Sequence, residues 1–175
     1  YAAYQPSMSD VGHRLRCIIK DGPAHQICLV PCVVSMEHSL FDYAKNSLLV
    51  GEEKSVTFDN LRGLDDQVHY RLKVDVRSSE DFISESSIYI CKVTGDGEDE
   101  SINKPIPHYR VDSDPGKPKL FDIICTSHGH LRLQASNRKS RESLILALGI
   151  ANFKGKLSSL TTQTCLFPSY ETYDS

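Results

Sequence analysis

The chain has 175 residues, of which 39% are hydrophobic and 25% are charged, so it can bury the core of a soluble globular domain. Its formal net charge of -3 argues against nucleic acid or an anionic membrane as the main partner, since both favour a basic surface. No apolar run approaches the ~18 residues that a membrane span needs, so we expect no membrane insertion. Because the first residues are neither Met nor a signal peptide, we expect the chain to be part of a longer protein.

The first pattern is YQPSMSDVGHRLRCIIKDG at residues 4–22, which predicts an extended approach, a turn and a strand. Asp10 can bond the backbone of the turn, and Gly12 accepts a positive φ. Residues 27–34 should pair with this strand. The alternation of side chains places four residues on one strand face: His13, Leu15, Cys17 and Ile19.

Two helices are predicted around a β meander. The first covers residues 35–50, begins with the capping residue Ser35 and ends at Gly51. The second follows Asn137 and ends at Gly155. Apolar residues at helical spacing define the buried face of each helix: Leu40, Tyr43, Ala44 and Leu48 in the first, and Leu144, Ile145, Leu146, Leu148 and Ala151 in the second.

Residues 68–77 alternate apolar and polar side chains, which predicts a half-buried strand. Further strands are predicted at residues 88–93, 106–111, 120–125 and 130–135. The acidic loop 94–101 should be a mobile connection, and loop 112–118 should be tight because it is rich in turn formers.

This order of elements predicts a mainly β (α+β) fold, an antiparallel sandwich or open barrel of pleckstrin-homology-like type with a C-terminal capping helix. We expect residues 1–34 to form a preceding strand hairpin, residues 35–157 to form the barrel domain, and residues 158–175 to be a polar tail with one apolar knot.

The six cysteines are compatible with a disulfide framework. We favour reduced thiols in an intracellular protein, because Cys17, Cys91 and Cys125 lie in apolar strand-like runs where cysteine acts as a small hydrophobe. The sequence contains no Asn-x-Ser/Thr sequon, which agrees with that interpretation.

Two stretches carry a family resemblance: residues 4–17, and KLFDIICTSHGHLRLQASNRKSRESLILALGIANF at residues 119–153. The first resembles the end of an Ig-like repeat. Their succession resembles the C-terminal region of the microtubule-associated family named "auxin-induced in root cultures". The resemblance implies a cytoplasmic, cytoskeletal, non-enzymatic protein. The closing helix lacks the Trp that pleckstrin-homology domains usually carry, with Phe153 as the nearest bulky substitute. The basic, Ser-rich region that contacts microtubules in the family is absent, so the resemblance assigns direct tubulin binding to no residue here.

The pattern most like a metal site is Cys125 with His128 and His130, with Cys28 and Cys32 as distant partners. It lacks the paired knuckles of a structural zinc site, so we predict no metal and no other cofactor. No GxSxG, HExxH or phosphate-binding loop is present, so we predict no catalytic residue. Phosphoinositide binding is also not expected, because the loop at residues 78–85 is acidic.

A basic cluster at Arg138, Lys139 and Arg141 begins the closing helix, where cations oppose the helix dipole. It is either a solvated helix start or a surface for an acidic partner, whereas Lys154 and Lys156 lie at the favourable end. We therefore predict a protein-binding module of a cytoskeleton-associated protein, with this cluster as the partner site. Two alternatives stay open: a regulatory segment attached to a phosphodiesterase, and an extracellular Ig-like adhesion fragment.

Overall fold

The structure is a computed structural model that describes residues 6, 8–48, 53–79, 82–94, 97–98, 105–106, 108–114, 116–125, 129–153 and 156–166. The strands are β1 (Arg14–Asp21), β2 (Ala24–Val33), β3 (Glu53–Gly63), β4 (His69–Ser79), β5 (Phe82–Thr94), β6 (Gly97–Glu98), β7 (Tyr109–Asp112), β8 (Leu120–Cys125) and β9 (Gly129–Gln134). The α-helices are α1 (His38–Leu48) and α2 (Arg138–Ala151), and 3-10 turns lie at Met8–Asp10 and Leu157–Ser159.

Strands β3 to β9 form a seven-stranded antiparallel sheet in the order β6-β5-β4-β3-β9-β8-β7. Two successive meanders meet where β3 pairs with β9, with Arg62 opposite Gln134 and Gly63 opposite Leu133. The sheet curls into a half-barrel, and the C-terminal helix α2 packs against it. The predicted fold class, a mainly β antiparallel sandwich or open barrel with a C-terminal capping helix, is therefore confirmed, while its pleckstrin-homology-like type stays a prediction.

The alternating stretch at residues 68–77 corresponds to a half-buried strand, β4, as predicted. Leu72, Val74 and Val76 point into the core from β4 and are at most 1% exposed. Val74 lies opposite Val56 on β3 and Ile88 on β5, so three adjacent strands contribute to one apolar layer. The β3 strand itself was not predicted, because its apolar alternation is short: it runs through Val56 and Phe58 and is broken by the register shift before Leu61.

The other predicted strands shift slightly at their ends. Instead of residues 106–111, β7 covers Tyr109–Asp112, while Ile106 forms an isolated bridge with Ile88. The acidic loop 94–101 was expected to be a mobile connection, but Gly97–Glu98 forms β6 and pairs with the end of β5. Loop 112–118 is tight as predicted, with Asp114 accepting hydrogen bonds from the backbone of Gly116 and Lys117.

Helix α2 is buried on nearly all sides because the half-barrel lies on one side while α1 and the N-terminal 3-10 turn lie against it elsewhere. The five predicted apolar residues of this helix are all buried. In α1 the predicted Leu40, Ala44 and Leu48 are buried, but Tyr43 is 57% exposed and Phe41 points into the core instead.

The β1–β2 hairpin forms a separate two-stranded sheet, and nearly all of its residues are exposed. The expectation that Cys17 is buried is wrong, since its thiol is exposed on this hairpin, whereas Cys91 and Cys125 are buried as expected. Cys17 is exposed because no second layer packs on the hairpin in the part of the chain that the structure describes.

The apolar core extends on both sides of the predicted barrel domain. Met8 and Val11 from the N-terminal segment, and Leu160 and Leu166 from the C-terminal segment, belong to one buried cluster with α2 and the sheet. The division at residues 34 and 157 stays a prediction, but the core crosses both positions. Phe153, which replaces the missing Trp, packs half-buried against this cluster.

Candidate partner-binding face at the start of α2

Helix α2 begins with a side-chain cap. Asn137 has extended backbone angles, with φ -151° and ψ 174°, and its side-chain oxygen accepts a hydrogen bond from the Ser140 amide at 2.9 Å. This bond satisfies one of the free amide groups of the first turn. The cap also fixes where α2 begins, and therefore where Arg138 and Lys139 lie in its first turn.

Arg138 and Lys139, the first two cations of the basic cluster, both reach the surface but differ in exposure and in hydrogen bonding. Arg138 is half-buried, and its Nη2 donates a hydrogen bond to the carbonyl of Pro6 at 3.0 Å, which holds the N-terminal segment against the helix. Lys139 is exposed, and no carboxylate pairs with it among the residues that the structure describes. Lys139 is therefore a cation available to a partner.

Arg141 corrects the sequence-based prediction, because it is 1% exposed and is not part of the surface. Its guanidinium forms an ion pair with Glu142 and donates to the carbonyls of Lys117 at 3.0 Å and Asp114 at 3.3 Å. These bonds compensate for the buried charge. The helical spacing contained the signal: Arg141 precedes Leu144 and Ile145 by three and four residues, so it lies on the apolar face.

A cavity of about 540 Å³ opens beside Arg138 and Lys139. Its floor is apolar. The residues that form this floor come from the N-terminal segment, from the connection between β2 and α1, and from α1 itself: Met8, Val11, Val34, Met36 and Leu40. Glu142 also lines it, but the two carboxylate oxygens of Glu142 already accept from the Met8 amide and from Arg141. An apolar side chain of a partner fits such a floor.

A second cavity, also of about 540 Å³, lies between α1, β3 and the start of α2. Tyr43, Val56 and Phe58 supply its apolar wall. Its polar wall consists of hydroxyl and amide side chains: Ser39, Thr57, Asn137, Ser140 and Ser143. Leu40 and Lys139 line both cavities, so they form the ridge between them.

We call the two cavities and the Leu40–Lys139 ridge the docking face. The sequence analysis found Arg138 and Lys139 but missed the residues from α1 and β3. The sequence offered no signal for these residues, since helical spacing placed Tyr43 on the buried face of α1, whereas the structure leaves it 57% exposed.

A polar cluster lies away from this face, in the turn after β3. The Tyr70 hydroxyl donates to Asp66 at 2.6 Å, and Lys92 lies 3.2 Å from the same carboxylate. The hydrogen bond from Tyr70 lowers the pKa of Asp66, and burial raises the pKa of Tyr70. Since the same carboxylate also accepts from the Val68 amide, we interpret this cluster as the closure of the turn.

The remaining sequence-based candidates do not converge on a site. Within the described ranges, no group of three or more His, Cys, Asp or Glu side chains is placed to hold a metal ion. His130 is exposed and lies 3.3 Å from Asp122. His128, Lys154, Gly51 and Gly155 lie outside the described residues. None of the helices in the described part of the chain is long and apolar enough to span a membrane.

Comparisons with family models, with curated proteins and with solved structures found no match for this chain. The resemblance to the "auxin-induced in root cultures" family therefore stays a hypothesis carried by the two quoted stretches. The function has to be argued from the docking face.

Proposed function

We propose that this chain is a non-catalytic protein-binding module of a cytoplasmic, cytoskeleton-associated protein, and that the docking face binds a partner with an acidic surface. The observation that carries the proposal is the position of Lys139, an exposed cation on the ridge between two cavities with apolar walls. The cytoskeletal setting follows from the sequence resemblance.

The face combines the two features that protein interfaces use. Apolar walls on either side of the ridge can bury an anchor side chain from the partner, and such anchors supply most of the binding free energy. Lys139 and Arg138 at the rim attract carboxylates, which raises the association rate and selects against basic partners.

The charge pattern of the helix favours an acidic partner. Cations in the first turn of α2 face the positive end of the helix dipole, which disfavours them by about 0.3–1 kcal/mol each. The first turn contains no acidic residue that would compensate for this effect. A carboxylate brought by a partner would pair with Lys139 and also interact favourably with the helix dipole.

The proposal gives no residue a catalytic role and requires no cofactor, nucleic acid or membrane insertion. Phosphoinositide is not the proposed ligand, because Arg77 near the end of β4 is already paired with Glu53 of β3 at 3.2 Å and with Glu85 of β5 at 3.1 Å.

Pelleting with the cytoskeletal fraction of a cell extract tests this proposal. The variant Arg138→Glu with Lys139→Glu should lose most of its pelleting, and wild-type pelleting should weaken as salt rises. The control is Lys20→Glu with Lys156→Glu, which makes the same change of charge at exposed positions outside both cavities. Equal pelleting of the two folded variants would overturn the proposal.

A further inference from the structure

The β1–β2 hairpin brings two cysteines directly opposite each other. Its antiparallel register pairs Cys17 with Cys28, between the neighbouring pairs Ile18–Ile27 and Arg16–Leu29. Both thiols are free and exposed. The register itself is fixed by a turn in which Gly22 has a φ of 58°.

The distance between opposed residues suits a disulfide bond. Directly opposed residues of an antiparallel pair have their Cα atoms about 4.5–5.5 Å apart and their side chains on the same face. Disulfides span Cα distances of about 4.4–6.8 Å. Cys17 and Cys28 can therefore be joined without any change of strand register.

In the strand registers of the described residues, which include all six cysteines, Cys17 and Cys28 are the cysteines that lie opposite each other. Cys91 and Cys125 are buried on β5 and β8, strands that β4, β3 and β9 separate in the sheet. Cys32 lies within the irregular stretch of the β1–β2 register, between the pairs Arg14–Val33 and Arg16–Leu29. The Cys165 sulfur lies 3.0 Å from the Nε2 atom of His13 at the base of the hairpin.

We propose that Cys17 and Cys28 are a thiol–disulfide modification site that switches the hairpin between a crosslinked and an open ribbon. A two-stranded ribbon is marginally stable by itself. This one has little support from the barrel, since Ile19, Ile27 and Leu29 are 51%, 52% and 67% exposed. A crosslink next to these residues holds the ribbon closed and keeps its apolar side chains in a fixed arrangement.

The reaction is an exchange with a small disulfide such as glutathione disulfide. The thiolate of one cysteine attacks a glutathione sulfur, a mixed disulfide forms and one glutathione thiolate leaves. The second cysteine thiolate then attacks the protein sulfur of the mixed disulfide, which forms the Cys17–Cys28 bond and releases the second glutathione. Two electrons pass from the two cysteines to glutathione, and the two thiol protons end on the released glutathiones. Excess glutathione reverses both steps.

Mass mapping of the purified full chain in glutathione buffers tests the proposal. As the share of glutathione disulfide rises, we expect the mass of the chain to fall by that of two hydrogen atoms. We also expect one crosslinked pair of peptides to appear, which joins Cys17 to Cys28. Trypsin cleavage after Lys20, which lies between the two cysteines, should then slow by about tenfold, because the crosslink removes unzipped conformations. Dithiothreitol should restore the original rate.

Matched variants separate this pair from the other thiols. Cys28→Ser should abolish the crosslink and the protection of Lys20, whereas Cys32→Ser should retain both. Since the hairpin adds little to the core, circular dichroism should show an intact barrel in each variant. A crosslink that maps to Cys32, Cys165 or a second chain would overturn the proposal, as would a product that stops at the mixed disulfide.

Discussion

Arg141 and Glu142 are neighbours in α2 that form a buried ion pair, and each joins the helix to a different segment of the chain. The Arg141 guanidinium donates to carbonyl groups of the loop before β8, at Lys117 and Asp114. The Glu142 carboxylate accepts from the Met8 amide at 2.9 Å. The pair therefore fixes the N-terminal segment and this loop to the central helix, beside the docking face.

Arg141→Met should destabilise the domain by about 3–5 kcal/mol, because it leaves the Glu142 carboxylate buried without its cation. Urea unfolding followed by circular dichroism measures this. Arg141→Met combined with Glu142→Leu should recover part of the loss, since no buried charge remains.

Lys139→Met is the control for that series. Lys139 is exposed, so its substitution should change the free energy of unfolding by less than about 0.5 kcal/mol. If Arg141→Met were as mild as Lys139→Met, the buried position of Arg141 would be wrong and the original surface assignment would stand.

Leu148→Asp should prevent folding or reduce the unfolding free energy by more than about 4 kcal/mol, because it buries an unpaired charge at a 0% exposed position of α2. Leu148→Met keeps the volume and should cost less than about 1.5 kcal/mol. Thermal unfolding and the yield of soluble protein compare the two variants. Similar melting temperatures and yields would contradict the burial of α2 in the centre of the domain.

Tyr109 should make stability depend on pH in the alkaline range. Its hydroxyl donates to the Leu148 carbonyl at 2.8 Å, and burial raises its pKa above the ordinary value of 10.0. The native state thus holds the phenol proton more tightly than the unfolded state, so this contribution is complete below pH 10.0 and decreases as the pH rises above it.

Tyr109→Phe removes that pH-dependent contribution together with one hydrogen bond, at a cost of about 1 kcal/mol near neutral pH. Its unfolding free energy should decline less than that of the wild type between pH 9 and pH 11. Parallel declines in the two proteins would show that the phenol ionises equally in both states.

Excision of the hairpin should leave the barrel intact. The amide of Val34 donates to the carbonyl of His13 at 2.9 Å, so a short glycine linker can replace Arg14–Asp21, Ala24–Val33 and the turn between them. We expect the melting temperature to change by only a few degrees, because these residues bury little apolar surface.

Deletion of residues 1–34 should be far more damaging than this excision, because it also removes Met8 and Val11, both 4% exposed in the core. Differential scanning calorimetry of the two shortened chains distinguishes these effects. Equal stability of the two would show that the N-terminal segment does not belong to the core.

The sequence predicted the parts of this fold that depend on local periodicity. The alternation at residues 68–77 predicted β4, and the apolar spacing from Leu144 to Ala151 predicted α2. The alternation follows from the burial of one face of β4, and the apolar residues of α2 follow from burial on nearly all sides of that helix. The sequence did not predict the exposure of Cys17, because an apolar strand gives no indication of whether a second layer covers it.

The docking face was only partly predictable for a related reason. Arg138 and Lys139 are neighbours in sequence, so the basic cluster could be recognised directly. Tyr43 and Phe58 come to the second cavity from α1 and β3, and only the packing of those elements on α2 brings them together. Arg141 was misassigned because charge was weighed over helical position, although its spacing from Leu144 placed it inside.

The most direct test of the central claim is the cellular localisation of fluorescent fusions of the full chain and its charge variants. The account predicts that Arg138→Glu with Lys139→Glu leaves the filaments and becomes diffuse, while Lys20→Glu with Lys156→Glu stays on them. Both variants should unfold within a few degrees of the wild-type temperature, since in the first variant the better helix dipole interaction offsets the lost hydrogen bond from Arg138 to the Pro6 carbonyl. Filament localisation of the first variant with loss of the second would contradict the account and place the binding face elsewhere on the chain.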